Sequence, residues 1–244
     1  MKTSKPIFLP ALCGLALGAI STRAQIIYDY SWSSFNGSSS LAIPDHNATG
    51  VSDIRTITLD PSRTIMSVTV SFQASGNFNG DLYLTLQHAG SSAVLLNRPG
   101  RDTGEPWGYD DSGLDITFQD GAAYGDIHTY RLVLTPEEGA ALTGTWQPDG
   151  RTVDPASSLS SSPRTSFLRN FNALDASGEW TLFAADLSSG GLSQITGWGL
   201  SVTVVPEPAE SILYTTLTIV LGFGLSRFLK KSKNRFQVDC MTRW

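Results

Sequence analysis

The sequence predicts an all-β fold, a sandwich or jelly roll spanning residues 25–205, set between an N-terminal signal peptide and one C-terminal transmembrane helix. Three observations predict it. The middle of the chain alternates apolar and polar residues with a period of two. Glycine-containing turn signals separate these runs. The two ends differ from the middle in charge and hydropathy.

The N-terminal end reads as a leader over 1–24. Lys2 and Lys5 give a positive start, and residues 7–20 form an apolar run that includes Leu9, Leu12, Leu15, Leu17 and Ile20. Ser21, Thr22, Arg23 and Ala24 follow, with small residues placed for cleavage after Ala24. The run is short for a span of about 30 Å of hydrocarbon.

Four strands are marked by clear alternation. Met66, Val68, Val70 and Phe72 alternate with Ser67, Thr69 and Ser71. Leu82, Leu84 and Leu86 alternate with Tyr83 and Thr85. Tyr130, Leu132 and Leu134 alternate with Arg131 and Val133. Trp198, Leu200, Val202 and Val204 alternate with Gly199, Ser201 and Thr203. Each pattern turns an apolar face to a core and a polar face to water. Shorter strands are expected at 54–59, 93–96, 116–118 and 180–184. Turn signals lie at Asn79-Gly80, Arg98-Pro99-Gly100, Asp149-Gly150 and Ser177-Gly178. The stretch 144–164, with Pro148, Pro155, Pro163 and a serine run, is expected to be an exposed loop.

Between residues 25 and 205 there are nineteen acidic residues, eight arginines and no lysine, a formal charge of −11. Such a surface repels nucleic acid. The two cysteines, Cys13 and Cys240, lie outside this region, so the expected domain has no disulfide.

At the C-terminal end, Pro206, Glu207 and Pro208 precede an apolar run whose core is 212–225. Arg227, Lys230, Lys231, Lys233 and Arg235 follow, and a basic flank of this kind marks the cytoplasmic end of a membrane segment. The expected helix covers 212–229, the sorting segment 206–235, and a tail runs over 236–244.

The middle of the chain resembles the P domain, or Homo B domain, which follows the catalytic domain of proprotein convertases. The matching residues are Ile43-Pro44-Asp45, the strand 65–72, Gly80-Asp81-Leu82, the glycine-and-aspartate loop 108–122, and a closing block. That block runs Gly178-Glu179-Trp180-Thr181-Leu182, Asp186, Gly191-Leu192 and Trp198-Gly199-Leu200. The resemblance implies a jelly-roll β-sandwich. Asp115 stands where the family often has Asn, and no protease domain is present in this chain. The C-terminal segment resembles a PEP-CTERM sorting signal. That resemblance implies recognition by an exosortase-type membrane enzyme in a bacterium that makes extracellular polysaccharide.

Candidate chemistry is sparse. His46, His88 and His128 are far apart in sequence, and no Gly-x-Ser-x-Gly elbow occurs. They are expected to be ordinary surface residues, and neither a nucleophile with its base nor a zinc site is legible. A hydrolase using two of the many carboxylates stands as a remote alternative. Calcium (Ca2+) is the expected structural ion, since it takes six to eight oxygen ligands. Asp81, Asp111 and Asp120 are its candidate ligands, with turn capping and solvation as the competing reading. Trp107 and Trp146 are the candidates for stacking on sugar, because both are expected in loops beside Pro or Gly. Together these features lead us to expect an exported, surface-anchored, non-catalytic module with a structural or interaction role. A carbohydrate-binding module for exopolysaccharide is the alternative.

Overall fold

A computed structural model describes residues 25–59 and 63–205. The leader 1–24, the sorting motif Pro206-Glu207-Pro208, the apolar stretch 212–229 and the tail 236–244 lie outside the described residues. Among the described residues, no helix is long and apolar enough to cross a membrane.

Ten strands form two sheets. They are β1 (Ile26–Trp32), β2 (Leu41–Ile43), β3 (Asn47–Ile57), β4 (Thr64–Ser75), β5 (Leu82–His88), β6 (Ser91–Asn97), β7 (Leu114–Phe118), β8 (Leu142–Trp146), β9 (Gly178–Asp186) and β10 (Ser193–Val205). The first sheet runs β1-β10-β4-β7-β8, with β2 also paired to β10, and the second runs β3-β9-β5-β6. All pairings are antiparallel except β7 with β8. The all-β expectation therefore holds in the described residues.

The alternating patterns supply one continuous core. Val68, Val70 and Phe72 of β4, Ile116 and Phe118 of β7, and Leu200 and Val202 of β10 come from the first sheet. Leu84 and Leu86 of β5 and Trp180, Leu182 and Ala184 of β9 come from the second. With roughly 25 cal/mol gained per Å² of apolar surface removed from water, this layer is the main stabilising element of a domain that has no cysteine.

Three expectations are corrected by the fold. Met66 does not join the core face. The β4–β10 register shifts there, pairing Ser67 with Thr203 and Ile65 with Val204, so Ile65 is buried and Met66 is 38% exposed. A bulge of one residue flips the alternation on one side of it. The run at Tyr130 is not a strand. Residues Ile127–Leu132 form a 3-10 segment opened by Asp126, whose side chain accepts from the His128 N–H. Tyr130 is buried while Leu132 is 83% exposed. Finally, 144–164 is an exposed loop only in part: 152–163 is largely exposed, but Trp146 and 148–151 are buried. It begins inside β8, and the chain then lies along the β6 edge: Asp149 N–H donates to Leu95 O, Gly150 N–H to Val94 O, and Val94 N–H to Ser166 O. This segment covers the β6 edge of the second sheet, which would otherwise invite pairing with another chain.

Candidate functional site

The site is built where the chain leaves β6. Residues 98–111 form a loop pinned against the 79–81 turn. Tyr109 N–H donates to Pro99 O, Gly80 N–H to Tyr109 O, and Asn79 N–H to Asp111 O. Asp102 and Glu105 exchange two backbone hydrogen bonds, both 3.0 Å long. The two segments touch backbone to backbone because Gly80 has no side chain. A Cβ there would lie 2.4 Å from the Tyr109 nitrogen. The result is a braced platform carrying Trp107, which is 72% exposed. Trp107 borders a cleft of about 420 Å³ lined also by Phe78, Asp81, Glu105, Tyr109, Asp110 and Arg131.

The charges around the cleft are largely paired. Arg131 donates from Nε to Asp111 Oδ2 at 2.7 Å and from Nη2 to Asp110 Oδ1 at 2.5 Å, and it lies over the Tyr109 ring. The bond from Arg131 holds the Asp110 carboxyl below its usual range. Tyr130 donates to Asp111 Oδ2 at 2.6 Å. Burial, and then that bond, keep its phenol well above the ordinary value. Asp81 is buried, and burial raises its pKa, partly offset by Ser188 and Arg98. Arg98 donates to Asp81 Oδ1 at 3.3 Å, to Ser188 Oγ at 2.7 Å and to Gly80 O at 3.1 Å.

The three aspartates expected to share calcium have three separate roles. Asp81 faces Arg98, and Asp111 faces Arg131 and Tyr130. Asp120 accepts the backbone N–H groups of Leu168 and Arg169, at 3.0 and 2.7 Å, and so caps the 3-10 turn Leu168–Phe171. Guanidinium, phenol and backbone donors engage one oxygen each of Asp81 and Asp111 and both oxygens of Asp120. No group of three or more His, Cys, Asp or Glu side chains is placed to hold a metal among the described residues. Asp81, Asp111 and Asp120 thus each have their own donors in the described residues.

Trp146 is also corrected. It ends β8, paired with Phe118 of β7, and is fully buried. Its indole N–H donates to Thr143 O at 2.9 Å, and its ring packs against Tyr124 and Tyr130. Gly144 lets Tyr124 lie over the strand, since a Cβ would meet that ring at 2.5 Å. No ligand can reach Trp146 in this arrangement, which leaves Trp107 alone as the expected sugar-stacking residue.

Two histidines expected at the surface are buried. His128 Nδ1 lies 2.8 Å from Asp149 Oδ2, a geometry that resembles the orienting half of a Ser-His-Asp triad. The other nitrogen is occupied by Arg101 O at 3.0 Å, and both side chains are closed to solvent. That pair is therefore structural. Asp149 also accepts from Arg151 Nη1 at 3.1 Å, and Arg151 bridges to Asp126 at 2.8 Å. His88 stacks on Trp180 with centroids 3.9 Å apart, and its two nitrogens lie 2.8 and 2.6 Å from the carbonyl oxygens of Glu179 and Asp175. The sequence signal for the buried network was the Asp149-Gly150 turn, which reads equally well as surface.

No family model matches the chain, and no curated protein sequence matches it. Solved structures similar to it include the serine protease of Aeromonas sobria, at 16% identity and a TM-score of 0.42 over 74% of this chain and 27% of that one. The same protease in complex with its chaperone matches at 15% identity and a TM-score of 0.40, over 75% of this chain and 28% of that one. The chain thus spans little more than a quarter of the length of the structures it matches.

Proposed function

We propose that the chain is an exported, non-catalytic β-sandwich module held at the cell surface, and that it works by binding carbohydrate through the Trp107 cleft. The observation that carries this reading is the exposure of Trp107. Every other tryptophan among the described residues is buried or half-buried, whereas Trp107 stands 72% exposed on a hydrogen-bonded loop beside a cleft. A flat apolar ring presented on a hydrogen-bonded loop offers a stacking surface for a pyranose face. Phe78 and Tyr109 add apolar surface, and Glu105 and Asp110 supply acceptors for sugar hydroxyls.

Export and anchoring rest on the sequence: the leader 1–24, the motif Pro206-Glu207-Pro208, the apolar run and the basic cluster. An exosortase-type enzyme is the proposed processing partner. The resemblance to P domains agrees with a module that assists or tethers and does not itself catalyse.

Two experiments test the reading. A glycan array probed with the full-length chain should show sugar binding that Trp107→Ala removes while the melting temperature stays unchanged. Binding that survives the substitution would place the sugar site away from Trp107, and an empty array would leave a purely structural or protein-binding module. Intact-mass analysis of the protein from its own cells should show the C-terminal segment missing. Recovery of Trp244 on the mature protein would instead indicate a plain membrane anchor.

A further inference from the structure

We infer that the Trp107 cleft selects non-anionic sugars, that it prefers those carrying a free amine, and that it rejects uronic-acid polymers. This rests on the carbohydrate reading and adds the charge class of the ligand. Four charged side chains line the cleft: Asp81, Glu105, Asp110 and Arg131. Three carboxylates against one guanidinium leave a formal charge of −2. Adding the partners just behind them, Asp111 and Arg98, leaves the balance unchanged.

Both guanidiniums are already engaged by carboxylates of this chain. Arg131 commits Nε and Nη2 to Asp111 and Asp110, and its plane is taken up by Tyr109. Arg98 is buried and bonded to Asp81, Ser188 and Gly80. Anion recognition by arginine uses its planar fork of donors, and here Nε and Nη2 of Arg131 already hold carboxylates while Arg98 is closed to solvent. The acceptors are in surplus by contrast. The Asp110 side chain is 72% exposed although Arg131 holds one of its oxygens. Glu105 is exposed, and only its backbone is engaged.

An ammonium group placed beside Trp107 meets both a ring face that attracts cations and these carboxylates. A sugar carboxylate meets repulsion from the cleft and from the charge of −11 carried by residues 25–205. At partly exposed positions one such contact changes affinity by roughly two- to fivefold, and salt weakens it.

The test is titration calorimetry of the full-length chain with three tetrasaccharides: β-1,4-linked glucosamine, β-1,4-linked glucose and α-1,4-linked galacturonic acid. The expected order is glucosamine, then glucose, with no galacturonate binding. In 0.5 M salt the gap between glucosamine and glucose should close. Glu105→Gln should lower glucosamine affinity about two- to fivefold more than it lowers glucose affinity. Galacturonate binding as tight as glucosamine binding would overturn the charge inference while leaving the sugar reading intact. Absence of binding to all three would remove both. A tri-lysine peptide that binds as well as the glucosamine tetramer would show a general cation site and overturn the sugar selectivity.

Discussion

Asp186 is the residue whose charge the fold accommodates least well, and Asp186→Asn should stabilise the protein near neutral pH. It ends β9 with 1% of its surface exposed. Its Oδ2 is buried without a hydrogen-bond partner, and its Oδ1 receives only a 3.4 Å contact from Ser188 N–H. Burial, with some repulsion from Asp81 and Asp45, raises its pKa to about 6. The unfolded chain would titrate it near 3.9. The folded state therefore binds this proton more tightly than the unfolded state, and stability falls as pH rises from about 4 to about 6. Above that window the whole penalty is present, with a ceiling of about 3 kcal/mol. The pull of the Ser188 N–H and of Arg98 is already contained in that pKa, so about 2–3 kcal/mol is the working figure. Asparagine keeps the shape and removes the charge. Melting curves of wild type and variant at pH 4, 5, 6 and 7.5 should coincide at pH 4. At pH 7.5 the variant should melt about 4–8 °C higher. A variant that melts lower at pH 7.5 would refute the reasoning, because it would mean that the carboxylate has a favourable partner. Repeating the curves with millimolar calcium would then reveal whether that partner is a cation.

Two further substitutions test the corrected placements. Asp149→Ala should destabilise the protein by about 3–5 kcal/mol in urea unfolding, because it strands Arg151 and His128 in the interior. A loss under 1 kcal/mol would mean that water reaches the network. Trp146→Ala should also destabilise, by about 3–5 kcal/mol, through the cavity it leaves. A Trp146→Ala protein with wild-type stability and lost sugar binding would return that residue to the site.

The sequence by itself determined the class of fold and most of its core. Period-two alternation at Leu82, Leu84 and Leu86, and at Trp198, Leu200, Val202 and Val204, follows from the geometry of a strand with one wet face. It therefore needs no knowledge of the partner strand. The exposed Trp107 was legible for a similar reason, since it lies between Pro106 and Gly108 where the chain must turn. The rest depended on residues distant in sequence. Ile65 displaced Met66 because β10 shifts its register there. Tyr130 left the strand pattern because Asp126 caps a 3-10 turn. Trp146 was hidden because a parallel neighbour, β7, draws it inside. The acidic residues show the same division most clearly. Their number was plain from the sequence, but a carboxylate's role is set by whichever charge lies within a few ångströms. Arg98 for Asp81, Arg131 for Asp111, Arg151 for Asp149 and the backbone N–H groups of Leu168 and Arg169 for Asp120 were brought there only by the packing of the two sheets.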